Sequence, residues 1–441
     1  MWIETLAIEN LKCFEKQTIR FGSNKEPYPW ITLLGENGTG KSTVLQALAI
    51  MLAGPEGANQ LLKPEGWLKS KVKAGKLTLR MHQGISDPGQ FGGEKKERKV
   101  FQYTLYITGN EKLEINNKVF TEPVITEDTN NTTTLSWLRQ NALLPKGKGW
   151  FGAGYGAFRR LTRNSRIIVP SLQTPSRYTN YEAQFKEDEA LAAFETWMVY
   201  LDYRISKSED KIAERQKDWS IKAINQLLPD GNSFDAIDSE GRIWFNVNGE
   251  RVSTIALSDG FRSVLALSGD LVWRLINSFP ESENPLHEQG VVLIDELDIH
   301  LHPTWQRTIA GLLRKTFPNI QFVMATHSPL VAAGAGEDAI TYRFYRKEEK
   351  IVIDQIKNIH TKSVDDILKS DAFNLVSVFS PETQEKIDRY YSLKKKRTNL
   401  SITEEKELQG VIPFVEEALG YNTNESETEK SLNEFIKKNW K

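Results

Sequence analysis

Cysteine is almost missing from this chain. Cys13 stands alone, so neither a disulfide framework nor a thiolate zinc cluster can be built, and the composition suits a reducing compartment. No run approaches the ~20 apolar residues that cross a bilayer as a helix. The opening Met1-Trp2-Ile3-Glu4-Thr5-Leu6 lacks a basic start followed by an apolar core, so no signal peptide is expected. The expected location is cytoplasmic, with no membrane partner. Net charge is lacking too: 57 Lys and Arg face 58 Asp and Glu. A polyanionic partner would therefore need a local patch. One stretch stands out by what it omits, since no Asp or Glu occurs between Thr129 and Tyr181. It carries Arg139, Lys146, Lys148, Arg159, Arg160, Arg163, Arg166 and Arg177 among Trp137, Trp150, Phe151, Tyr155, Phe158, Tyr178 and Tyr181. Cations with stacking rings suit DNA. Two other readings stay open: some arginines face a bound triphosphate, or they pair with the acidic residues Glu187, Asp188 and Glu189.

What is present is organised around Gly35-Glu36-Asn37-Gly38-Thr39-Gly40-Lys41-Ser42. This fits G-x-x-x-x-G-K-[ST], the phosphate-binding P-loop. The apolar run Trp30–Leu34 predicts a buried strand before it, and Thr43–Leu52 predicts a helix that stops before Gly54-Pro55. Such a turn aims several backbone N–H groups at one point, where a triphosphate is favoured. Gly35, Asn37, Gly38, Gly40, Lys41, Ser42 and Thr43 form the expected ATP cradle, with Lys41 reaching the β and γ phosphates and Ser42 on Mg2+.

Along the chain, Trp2–Ile8 and Gln17–Phe21 predict an antiparallel pair, with Cys13 a small buried apolar residue beside Phe14. Leu77–His82 and Val100–Thr108 predict strands of a β subdomain, with His82 on its surface. Residues 182–227 read as helical and end at Pro229-Asp230-Gly231. Arg242–Val247 and Arg251–Ala256 predict a hairpin through Asn248-Gly249. Leu257-Ser258-Asp259-Gly260-Phe261-Arg262 opens a helix running to about Ile276. Val291–Ile294 followed by Asp295-Glu296 is the Walker B pattern, and Gln321–Ala325 leads into Thr326-His327-Ser328. In an open parallel sheet, ligands bind beyond the strands' carboxyl ends. Asp295, Glu296 and His327 would thus share an edge with the P-loop. Ser363–Lys369 and Pro381–Arg397 predict helices, and 401–440 a polar helical hairpin.

The order of P-loop, Leu-Ser-x-Gly-like signature, Asp295-Glu296 with Leu297-Asp298, and Thr326-His327-Ser328 resembles the ABC-type ATPase heads of the RecF/SMC class. Ile8-Glu9-Asn10-Leu11-Lys12-Cys13-Phe14 is similar to that class as well. The segment Gly154–Arg159 and the helices from Ser363 resemble AAA-family ATPases of phage-defence operons, such as those of Septu systems and their retron-linked relatives. This implies an α/β head: a P-loop mixed sheet flanked by helices with an antiparallel β subdomain, plus a helical insertion and a helical C-terminal region. The expected parts are an N-terminal ATPase lobe over 1–160, a helical and hairpin insertion over 161–256, a C-terminal lobe over 257–345 and a helical region over 346–441.

The resemblance implies that ATP and Mg2+ sit between two heads, in a homodimer or higher oligomer. One subunit supplies Lys41, Ser42, Asp295 as metal ligand, Glu296 as general base and His327 as γ-phosphate sensor; the other supplies Ser258 and Gly260. Asp298 would link the two sites. It further implies a separately encoded partner nuclease, of the HNH type in Septu. A RecF-like repair ATPase and, with less support, a transporter's nucleotide-binding subunit are the alternatives. Two departures stand out: Asp259 replaces the signature's first glycine, and Ala153–Phe158 occupies the place of the Q-loop glutamine. Both fit a slow, switch-like ATPase.

Overall fold

The computed structural model describes residues 1–89, 100–143, 148–157, 177–185, 193–370, 373, 375, 377–396 and 400–419. Two β-strands open the chain, β1 (Trp2–Leu11) and β2 (Phe14–Arg20), paired antiparallel as expected. Next come β3 (Trp30–Gly35) and the helix α1 (Lys41–Leu61). Gly54 leaves the helical region at φ 75, and Pro55 at once starts a second helical segment. The expected stop is therefore a kink, because proline at a first helical position loses no needed N–H. Strands β4 (Gly75–His82), β5 (Val100–Ile107), the small hairpin β6 (Leu113–Ile115) and β7 (Lys118–Phe120), and β8 (Ile125–Glu127) follow, then α2 (Thr132–Asn141). The sheet order β2-β1-β4-β5-β8 is an antiparallel subdomain.

Strand β9 (Phe151–Tyr155) precedes a 3-10 segment (Thr179–Gln184) and two helices, α3 (Ala193–Ser208) and α4 (Lys211–Leu227). The expected hairpin, β11 (Ile243–Val247) and β12 (Glu250–Ser253), turns through Asn248 at φ 52 and Gly249 at φ 93. Those paired positive values define the hairpin-favouring turn that Asn-Gly encodes. A third strand, β10 (Asn232–Ile237), extends it. Then come α5 (Asp259–Ser278), β13 (Gly290–Asp295), α6 (Pro303–Thr316), β14 (Ile320–Thr326), α7 (Pro329–Gly334), β15 (Ile340–Lys347), β16 (Lys350–Ile356) and α8 (Val364–Lys369).

The main sheet has the order β16-β15-β3-β14-β13-β9, parallel except for β16. Its central strands β3, β14 and β13 are almost wholly apolar because both faces are covered. Val291, Leu293, Val323 and Ala325 face α1 and the antiparallel sheet, while Val292, Ile294, Phe322 and Met324 face α5 and α6. Gln321 ties the two sheets, accepting from the Ile3 N–H at 2.7 Å and donating to Phe21 O at 2.6 Å. The sheet continues through β15 and β16, past residue 346, where the sequence suggested only helix. Their alternating polar and apolar residues lie on a half-exposed edge, where the pattern is weak. Residues 1–367 form one compact unit and 368–441 a second. Within the second, α9 (Pro381–Lys395) and α10 (Ile402–Ala418) lie antiparallel, joined by Arg389 on Glu407 at 2.7 Å and Lys396 on Glu404 at 2.9 Å. Of the helical hairpin expected over 401–440, α10 is the described part, and residues 420–441 lie outside the described residues.

His82 is not on the surface. It is buried, with Nε2 2.6 Å from Glu4 Oε2 and its ring stacked on Trp2 at 3.7 Å. β4 is an interior strand, between β1 and β5, which leaves no open edge there. Burial holds the imidazole below its ordinary range against the pull of Glu4.

Candidate functional site

The parallel strands end in register. Leu34 pairs with Thr326, and Asp295 with Ala325, so the P-loop, Asp295-Glu296 and His327 emerge at one edge. Gly35 must be glycine: at φ 153 it has Phe344 O of β15 where a side chain would stand. Gly38 at φ 74 and Gly40 at φ 95 turn the loop into α1 through conformations that residues with a Cβ resist. A Cβ on Gly40 would lie 2.5 Å from Phe14 and 2.6 Å from Cys13 Sγ, so the β1–β2 turn backs the loop directly. Cys13 is half-buried and burial pushes its thiol up, as a packing role requires. Asn37 and Gly38 form the exposed tip, with Ser42 exposed and Thr43 half-buried in the first turn of α1.

Lys41 is buried, and its Nζ donates to Gly35 O and Glu36 O at 2.8 Å each. Burial lowers this ammonium to about 8, against the opposing fields of Asp295, Glu296 and Asp298. The same cluster holds His327: burial and then Lys41 push its imidazole below the ordinary range, while Asp298 and Asp295 pull the other way. His327 is thus neutral near pH 7 and available as a hydrogen-bonding group. Glu296 sits at φ 48, fixed by its own N–H to Ala325 O at 2.9 Å and by Ile299 N–H to Glu296 O at 3.2 Å. A left-handed carboxylate residue at a strand end costs about 1 kcal/mol or more and is a feature of functional sites.

Residues 31–333 match the model of the family described as "AAA domain, putative AbiEii toxin, Type IV TA system". The chain belongs to this AAA family. Septu protein PtuA of Bacillus mycoides (strain KBAB4) is 26% identical to this AAA protein over 398 residues, 89% of this chain and 47% of the relative. "Retron Vc95 probable ATPase" of Vibrio cholerae serotype O1 biovar El Tor is 54% identical over 84 residues, 19% of this chain and 16% of the relative. A PtuA of Bacillus thuringiensis is 23% identical over 342 residues, 70% of this chain and 71% of its own. The chain thus spans about half the length of the first of these relatives. Among solved structures, an SMC head bound to the C-winged helix domain of ScpA covers 82% of this chain and 100% of its own, at 14% identity and a TM-score of 0.48.

Ser258 and Gly260, the residues expected to form a signature, line a cavity that none of this cluster lines. Ser258 precedes the first residue of α5, and Gly260 stands 2.5 Å, at its absent Cβ, from His300 O. Both line a cavity of about 610 Å³ with Phe261, His300, His302 and Trp305, and no P-loop residue lines it. The structure therefore gathers Lys41, Asp295, Glu296, Asp298 and His327, and leaves Ser258 and Gly260 opening elsewhere. For a divalent cation, Ser42 and Asp295 offer hard oxygens only. That suits a small ion completed by phosphate and water. Among the described residues no group of three or more His, Cys, Asp or Glu could hold a metal alone.

In the acid-free stretch, Arg177 and the four rings Trp150, Phe151, Tyr155 and Tyr181 are buried. Arg177 is buried and donates to Trp150 O at 2.6 Å and Gly149 O at 3.3 Å, so it is not part of a DNA-facing patch. Arg139 pairs with Glu56 and Glu127, and Lys148 with Glu281. Trp150, Phe151, Tyr155 and Tyr181 are fully buried core rings. Glu56 and Glu281 come from distant segments, Glu127 lies just before the stretch, and Arg177 uses backbone carbonyls within it, none of which a count of acids inside the stretch sees. Lys146, Phe158, Arg159, Arg160, Arg163, Arg166, Glu187, Asp188 and Glu189 lie outside the described residues.

Gly152, Gly154 and Gly156 explain themselves as a seat. A Cβ on Gly154 would meet the Gln184 carboxamide at 2.7 Å, and one on Gly156 would overlap Ala183 O, so the 3-10 segment lies directly on β9. Gln184 is buried, with neither Oε1 nor Nε2 hydrogen-bonded among the described residues, and its carbonyl accepts from Gln46 of α1 at 3.1 Å. No short motif marks Gln184; the glycine spacing was the available signal of a close neighbour.

Proposed function

We propose that this AAA domain is an ATP-driven switch: it binds and hydrolyses Mg-ATP between two heads and so regulates a separately encoded nuclease in antiphage defence. The observation that carries the reading is the split of the machinery. Lys41, Asp295, Glu296, Asp298 and His327 share one sheet edge, whereas Ser258 and Gly260 open onto another cavity of the same chain. A signature so placed is available to a second copy. The defence role rests on the likeness to Septu and retron proteins.

In this reading the P-loop N–H groups and Lys41 bind the β and γ phosphates. Mg2+ held by Ser42 and Asp295 would supply neutralising charge to the phosphate oxygens. Glu296 orients the attacking water and accepts its proton. Neutral His327 hydrogen-bonds the γ-phosphate without adding charge repulsion toward Lys41. Gln184 brings a buried carboxamide to the place the sequence left without a glutamine, next to the P-loop helix through Gln46. Closure on ATP, rather than rapid turnover, is the signal passed to the nuclease.

Glu296→Gln tests this by removing the base while sparing the phosphate cradle. The variant is expected to bind ATP with near wild-type affinity and to shift in light scattering to a dimer or larger species with Mg-ATP. An unchanged mass at protein concentrations well above the nucleotide affinity would overturn the two-head model. Co-purification with the product of an adjacent nuclease gene, in its presence and absence of ATP, tests the partner.

A further inference from the structure

The loop after Glu296 and the turn that carries His327 are closed into one ring by a residue that no motif marks. Gln306, in the second turn of α6, folds its carboxamide back over the helix start. Its Nε2 donates to Leu301 O at 3.0 Å and to Asp298 O at 3.2 Å. Its Oε1 accepts from Ser328 Oγ at 2.7 Å, and Ser328 Oγ accepts the Val331 N–H at 3.2 Å. On the other side of His327, Thr326 Oγ1 donates to Asp298 Oδ1 and accepts the Ser328 N–H at 2.9 Å. Both neighbours of His327 are thereby tied to the segment that starts at Glu296. The same segment touches the signature, since His300 O lies against Gly260.

We infer that Gln306 is a positioning residue that locks the Glu296–Leu301 loop and the His327 turn into a single unit. The inference rests on the ATPase reading for its kinetic consequence, but not for the lock itself. Only a carboxamide does this, because it needs donors for two carbonyls and an acceptor for a hydroxyl at once. Glutamate would face both carbonyls with charge, and methionine keeps the length without the bonds.

The test compares wild type, Gln306→Met, Ser328→Ala and the double variant. Amide exchange in segments 296–302 and 326–331 is expected to speed up together in Gln306→Met, with α1 unchanged. Loss of protection in one segment alone, or in neither, would overturn the lock whether or not the protein turns over ATP. In hydrolysis assays kcat is expected to fall about 100-fold for a displacement of about 1 Å, while the Kd of a fluorescent ATP analogue moves less than about twofold. Equal losses in kcat and affinity would mean general damage, and no loss in kcat would mean a role in stability only. The double variant is expected to lose less kcat than the product of the two single losses, because both changes break the Gln306–Ser328 bond, while the Ser328 cap on Val331 is lost in either Ser328 variant. Wild type that binds ATP but never hydrolyses it would sink the ATPase reading, and the exchange comparison would still decide the lock.

Discussion

Lys41 shows how a single buried charge links binding to pH. Its side chain is nearly inaccessible, and burial outweighs the nearby carboxylates in bringing its pKa to about 8. In the nucleotide-free protein it therefore loses its proton as pH rises through about 8. Triphosphate favours the ammonium, so binding above that pH must restore the proton. Affinity for ATP is expected to weaken above pH 8, with net proton uptake measured by calorimetry at pH 8.5 in buffers of different ionisation enthalpy. Lys41→Arg, whose guanidinium stays charged, is expected to show none. Uptake that persists in that variant would point to another group. The stability sign follows too. Between pH 8 and the ordinary lysine value of 10.5 the unfolded chain binds more protons than the folded one, so this group's contribution rises with pH across that window. Below pH 8 its burial counts fully against folding, and Lys41→Met is expected to raise the melting temperature of the nucleotide-free protein near pH 7.

The glycine ladder of β9 is the element whose meaning changed most. Ala153–Phe158 holds, by chain order, the place of the Q-loop glutamine, yet Phe151–Tyr155 is a strand, and it and Gly156 carry a 3-10 segment at contact distance. Small-to-large changes there are expected to differ by what they strike. Gly156→Ala meets the rigid Ala183 carbonyl and is expected to cost about 1–3 kcal/mol by overpacking. Gly154→Ala meets side chains at longer range, the Gln184 carboxamide at 2.7 Å and the Tyr181 ring at 3.0 Å, and is expected to cost less. Urea midpoints of the two variants decide, and a larger loss for Gly154→Ala would contradict the seat. The contrast shows what was legible in the sequence. β3, α1, β13 and β14 announce themselves because apolar runs, a glycine turn and strand-ending acids are contiguous in the chain. The cluster at their ends was legible for the same reason. His82, Arg177, Gln184 and Gln306 were not, because their partners (Glu4, Trp150, Gly154 and Ser328) are brought to them only by the fold. β10, β15 and β16 were missed because half-exposed edge strands lack a clean alternation.

At the scale of the whole molecule, the point at issue is which chain's Ser258 and Gly260 face the phosphate site. Ser258 and Gly260 line a cavity with His300 and Trp305 that includes no P-loop residue. If the site is completed by a second copy, each composite site draws Lys41 from one chain and Ser258 from the other. Lys41→Ala and Ser258→Arg should then each silence a homodimer, since both of its sites carry the defect. Mixed dimers differ: one site combines both defects and the other combines neither. With random exchange half of all dimers are mixed, and a two-fold interface gives each one intact site, so about a quarter of wild-type hydrolysis is expected to return. The measurement is the ATPase rate of an equimolar mixture after subunit exchange, followed by energy transfer between labelled copies. Exchange without recovered activity would place the signature's action inside its own chain, and recovery without exchange would be impossible on any model in which the copies act alone.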